Sequence, residues 1–250
     1  MTAVGENSTI AAPRPAVVTS RPRLRPLTPA RETVFMPPVP GAGVRAWTRE
    51  FLQCRYLLVL SCVFLGVSLL ADYWCGSYVT ARPAVQVPDL ILDRLPPVNL
   101  AFLFTYGYMA LIVGMFLCPL LLRARMLHVV AIQFSLLLLL RSVSMIFTHL
   151  GTPAGAVTVE FPGIFCKLYF ENDMFFSGHT AMPFLGFYLF RYSRIRYVFL
   201  VGSVAMALVV LAMHLHYSID VLAAFFMTYG SYRMGNVLLR KLDPDYHPDH

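Results

Sequence analysis

Two histidines and one carboxylate are spaced for chemistry in this sequence: His179, inside Ser177-Gly178-His179-Thr180, and His216, with Asp220 four residues after it. If a helix starts by His216, a residue four positions on shares its face, and the Asp220 carboxylate reaches one imidazole nitrogen. A carboxylate so placed fixes the tautomer and leaves the other nitrogen free as nucleophile or base. Two histidines with one carboxylate can run a displacement at phosphorus without a metal. One ring attacks to form a phosphohistidine, and the other protonates the departing alkoxide. No cluster has metal-ligand spacing, the five cysteines (Cys54, Cys62, Cys75, Cys118 and Cys166) included, so neither a metal nor a cofactor is expected.

The elements that must position these groups are apolar. The 250 residues are 58% hydrophobic and only 13% charged, with a mean hydropathy of +0.64, about half the charge share of a soluble domain. Six apolar runs are expected to span a membrane: approximately Phe51 to Tyr73, Val98 to Leu122, Leu127 to Thr148, Met174 to Phe190, Tyr197 to His214 and Tyr217 to Val237,. They show no alternation of period two, and open sheet edges cannot face lipid, so the expected fold class is all-α, a polytopic helical bundle. Ionisable residues inside such runs are costly and mark a functional site facing a polar cavity.

Three segments divide the chain. Residues 1–46 hold eight of the eighteen prolines and scattered arginines without an apolar period, which reads as a disordered basic arm that helps orient the chain or touches anionic headgroups. It lacks a signal-peptide core and cleavage site. Residues 47–241 form the six-span domain, and 242–250 a short polar tail. Sixteen Lys and Arg fall in the arm, the tail and the two turns expected on their side, against three (Arg82, Arg94 and Lys167) in the opposite loops. That asymmetry accounts for the net charge of +7 without nucleic acid as a partner, and it places both termini in the cytoplasm. The histidine segments then reach the same non-cytoplasmic face, as a composite site between helices requires. Cys75 and Cys166 fall in loops on that side, where a disulfide is open to them.

Asp173 to Thr180, "DMFFSGHT", and His216 to Val221, "HYSIDV", resemble the two signature segments of the sphingomyelin synthases and their relatives that make ceramide phosphoethanolamine or inositol phosphorylceramide, a branch of the type-2 phosphatidic acid phosphatase superfamily. "VPDLILDRLP", Val87 to Pro96, is similar to that family's Pro-Asp loop after the first span, and "RSVSMIFTHLGTP", Arg141 to Pro153, to its Arg-to-Thr segment ending the third. The resemblance runs from about Phe51 to Arg240 and is most specific in the last two segments.

It implies an integral membrane transferase that moves a phospho-headgroup from a glycerophospholipid donor to a lipid alcohol acceptor, ceramide or diacylglycerol, with homo-oligomers permitted. His216 would be the nucleophile, Asp220 its orienting partner, and His179 the acid that releases diacylglycerol and then the base that activates the acceptor. Glu171 and Asn172 stand where the family commonly has Cys-Gly. The Lys-x6-Arg-Pro segment of the phosphatases is missing, as is the Ser-Arg pair upstream of the final histidine, which argues against an ordinary lipid phosphate phosphatase. Arg141 and the amides around Ser177, Gly178 and His179 are the candidates to hold phosphate instead. Arg141 could equally snorkel to headgroups.

Glu171 and Asp173 suit either a headgroup amine or a solvated loop, and Asp89 and Asp93 either a solvated carboxylate or a helix cap. His214, two residues before the motif, reads as structural. The runner-up is a hydrolase of the same mechanism, a lipid phosphatase or a phospholipase C-type enzyme. A transporter is the rival class, but the chain shows no internal repeat.

Overall fold

The computed structural model describes residues 44–159, 170 and 172–246. The basic arm up to residue 43, Cys166 and its pairing with Cys75, Lys167, Glu171, His247 and His250 lie outside the described residues. Among the described residues seven α-helices run in chain order: α1 Val44–Gln53, α2 Arg55–Thr80, α3 Tyr108–Leu122, α4 Ala124–Ile146, α5 Gly178–Leu189, α6 Ile195–Ala212 and α7 Ser218–Leu242. A short 3-10 turn covers Leu92–Arg94, and a π-helical turn, Leu103–Gly107, leads into α3. The described residues hold no sheet beyond an isolated bridge between Val85 and Leu150.

Among the described residues four helices are long and apolar enough to cross a membrane: α2, the π turn with α3, α4 and α6. Of these, α4 is central, with 67% of its apolar window buried against 17%, 22% and 33% for the others. Its neighbours α2, α3, α5 and α7 pack around it, and the bundle turns Val63, Leu70, Phe102, Val201 and Phe226 outward. In water so much exposed apolar surface would drive aggregation, and in lipid it costs nothing. Small residues let the helices approach: a Cβ on Gly235 would collide with the Gln133 amide of α4, and one on Gly202 would lie 2.7 Å from Leu111 of α3.

The helix bounds differ from the sequence expectation in two instructive places. The first apolar helix continues to Thr80, so Asp72 lies well inside it and Cys75 belongs to a helix rather than to a loop. The fourth run is not one long helix. Asp173 to Ser177 is irregular, Phe175 sits at φ +126°, and α5 has only 12 residues, about 18 Å of rise, too little to cross a bilayer alone. A bulky residue at that φ cannot continue a helix, so the Ser-Gly-His-Thr segment becomes a helix N-terminus. The last helix, α7, is long enough but carries Asp220, Arg233, Arg240 and Lys241 and is less apolar than the four.

The helices alternate in direction, so their ends segregate. Arg123, Arg125, Arg191, Arg194 and Arg196 share one end with the C-terminus of α7, while Asp72, Arg141, His179 and His216 share the other. At the basic end the tail folds back instead of trailing away: Asp243 and Tyr246 are buried, and the Tyr246 hydroxyl donates to Asn236 at 2.7 Å. Trp47 of α1 donates to the Leu120 carbonyl at 2.8 Å.

Candidate functional site

The two histidine segments are joined by the backbone. Ser177 N–H donates to the Asp220 carbonyl at 3.2 Å, which ties the start of α5 to the first turn of α7. In that turn the Asp220 carboxylate accepts the Tyr217 N–H at 3.1 Å and lies 3.3 Å from His216 Nδ1 through the same oxygen. A carboxylate can only accept, so Nδ1 carries the proton and Nε2 keeps its lone pair. Asp220 is almost fully buried, and its other oxygen has no partner among the described residues.

His179 is held differently. Its ring lies between Phe104 of the π turn, at 4.0 Å between centroids and 21° between planes, and Tyr108 of α3, at 4.1 Å and 40°. The π turn supplies one wall of this slot and includes Thr105, and such turns cluster at functional sites. Both imidazoles line one cavity of about 310 Å³, together with Arg141, Asp72 and Asp173.

Arg141, near the end of α4, is clamped by two carboxylates. Nη1 donates to Asp72 of α2 at 2.9 Å, and Nη2 pairs with Asp173. Ser142 donates to the same Asp72 oxygen at 3.1 Å, so Asp72 is fixed from two sides. Burying a guanidinium is tolerable only with such partners. Its Nε remains without a partner among the described residues. Gly178 makes room for it, since a Cβ there would come 3.1 Å from Nε. A buried unpaired donor beside two imidazoles is suited to an anionic oxygen. The first-turn amides of α5, from Gly178 to Thr180, point from a helix N-terminus, where anions are favoured.

Three loops cap this end. Asp89 accepts the backbone N–H and the hydroxyl of Ser218 at 2.7 and 2.8 Å, and through its other oxygen the N–H groups of Ile91 and Leu92. Burial alone would push the Asp89 carboxyl up, but the Ser218 donors and these amides hold it below the ordinary carboxylate range,. Asp93 accepts the Asp89 N–H at 3.2 Å. Tyr217 donates its hydroxyl to the Gly151 carbonyl at 2.9 Å and accepts Val87 N–H at 3.2 Å. His214, in the left-handed region at φ +56°, places its two ring nitrogens 3.0 Å from the carbonyls of Ala154 and Leu95, a structural staple.

Of the residues singled out in the sequence, His179, His216, Arg141 and Asp173 line the cavity. Asp220, Ser177 and Gly178 stand directly behind them. Asp89 caps the start of α7, the second of the two readings open to it, whereas Asp93 is an exposed carboxylate that accepts a loop N–H. Sequence reasoning missed Asp72, Phe104 and Tyr108. Asp72 carried a usable signal, an acidic residue in an otherwise apolar run. The two aromatics carried none, because in an apolar helix they are indistinguishable from packing residues.

No family model and no curated protein sequence matches the chain, so the functional reading rests on its residues and their geometry.

Proposed function

We propose that this chain is a polytopic membrane enzyme that moves a phosphoalcohol headgroup from a glycerophospholipid to a lipid alcohol such as ceramide, in the manner of the sphingomyelin synthases it resembles. Six segments cross the membrane in this reading, with α5 and its irregular lead-in completing one crossing, both termini cytoplasmic and the cavity at the exoplasmic, lumenal or periplasmic face. The basic residues at the opposite end of the bundle support that orientation.

The single observation that carries the proposal is the convergence of His179 and His216 on one cavity with Arg141. His216 Nε2 attacks phosphorus and the bond to the glycerol oxygen breaks. His179 gives its proton to that oxygen, releasing diacylglycerol. The headgroup phosphate is then bonded to His216 Nε2. The acceptor hydroxyl, losing its proton to His179, attacks phosphorus and breaks the P–N bond. Asp220 holds the His216 tautomer through Nδ1 in both steps. Arg141 Nε and the α5 amides face the charge that builds on the phosphoryl oxygens.

Purified protein given fluorescent ceramide and a panel of phospholipids is expected to release diacylglycerol and to form a new phosphosphingolipid in equal amounts. Diacylglycerol without the new lipid would replace the transferase with a hydrolase of the same mechanism. Neither product would defeat both.

A further inference from the structure

The cavity does not end at its charged floor. From Arg141 it follows α4 back through Leu138 to Phe134, and on α3 it continues from Tyr108 through Ile112 to Val113. Seven residues of helix separate Phe134 from Arg141, about 10 Å of depth. Its polar groups are concentrated at the Asp72, Arg141 and histidine end, and the remainder is aliphatic or aromatic.

The walls explain where it opens. Both α2 and α3 pack closely on α4, with far less contact between the two of them. They leave a cleft with α4 as its floor. Leu69 of α2 and Val113 of α3 both line the cavity, yet are 42% and 56% exposed. Leu138, on the floor, is only 6% exposed.

We infer that the cleft between α2 and α3, framed by Leu69 and Val113, is the lateral portal through which the lipid substrate enters from the bilayer. The groove over Leu138 and Phe134 then holds the part of its chain nearest the headgroup. This rests on the transferase reading above. The occupant follows from continuity: an apolar slot that opens at chain depth and ends at an arginine and two histidines fits a molecule that is hydrocarbon at one end and phosphate at the other. Entry from the side also lets the headgroup reach phosphoryl-transfer groups without carrying water with it.

The test uses the full-length protein in phospholipid vesicles. A phosphatidylcholine probe with a photoreactive diazirine on an acyl carbon near the glycerol is irradiated and the adducts are mapped. Bulk lipid labels outward residues such as Phe102 and Phe147, whereas an adduct on Leu138 requires passage through the cleft. The expected result is labelling of Leu138 that falls about tenfold or more in Val113→Trp, where the new ring fills the mouth. Transfer from long-chain donors falls in parallel, while thermal stability stays near that of the parent. Adducts on buried residues of α6 or α7 in place of Leu138, or full transfer by a well-folded Val113→Trp, would overturn the portal and leave the transferase reading standing. A parent protein that transfers no headgroup and takes no adduct on Leu138 would overturn both.

Discussion

Each end of the bundle carries a histidine, an arginine and a buried aspartate, and the set at the histidine-pair end lines the cavity described above. At the basic end, Arg125 donates to both oxygens of Asp243 at 2.9 and 3.1 Å, and His128 Nε2 approaches the same carboxylate at 3.5 Å. Gln133 donates to Asn236 at 2.9 Å, and Tyr246 closes over that amide. His128 and Gln133 are wholly buried, and none of these groups borders the cavity of the other end. There, by contrast, the His216 nitrogen not turned to Asp220 is left for the cavity, and Arg141 lines it too. The same residue types therefore form a packed lock at one end and line a cavity at the other, where the proposed chemistry needs them. Solvation and access decide which, more than identity does.

The largest separation between the two ends is expected from alanine at each histidine. His216→Ala should lower headgroup transfer by about 10⁴-fold or more with little change in melting temperature. His128→Ala should cost about 2 kcal/mol of stability while the folded fraction keeps its activity. Assays of transfer and thermal unfolding on both variants check this, and a reversed pattern would dissolve the contrast. Next in size is Gly178→Ala. Its methyl group would press on the Arg141 guanidinium, and transfer should fall about 100-fold with the fold retained, whereas Gly230→Ala, open to space on α7, should change nothing.

The smallest effect concerns acid. Burial would raise the Asp243 carboxyl, but His128 and Arg125 hold it down to about 2. A depressed carboxylate contributes stability that is fully present above about pH 4 and is lost as pH falls towards its folded value. Thermal unfolding between pH 5 and pH 2.5 should show this decline, and Asp243→Asn should flatten part of it. Asp89, also held low, contributes a decline of the same sign from the opposite end, so the Asn variant is needed to tell the two apart.

Much of this was legible in the sequence. The apolar runs announced a helical protein, and the spacing from His216 to Asp220 announced the imidazole–carboxylate pair, though for a different reason: α7 starts only at Ser218, and Asp220 reaches His216 from the third helical position while capping the Tyr217 N–H,. Ser-Gly-His-Thr was visible as a polar interruption. Its form was not, since a helix N-terminus created by Phe175 at positive φ has no signal in residue type. Asp72 was visible as a lone acid in an apolar run, but its role depends on α2 and α4 meeting so that it can grip Arg141, a tertiary fact. Phe104 and Tyr108 become a slot for His179 only once the π turn aligns them. The lock around Asp243 was hidden because a tail ending in charged and polar residues resembles a solvated one, and only the partners Arg125 and His128 draw it inward.

The central claim is that His216 forms the covalent bond to phosphorus. Purified protein incubated with a headgroup-labelled phospholipid and no acceptor, quenched on the millisecond to second scale and digested at alkaline pH, tests it most directly. The account requires an acid-labile label on the peptide bearing His216, discharged on addition of ceramide and absent in His216→Ala. A label on His179 instead, or turnover with no labelled protein at any time, would contradict it.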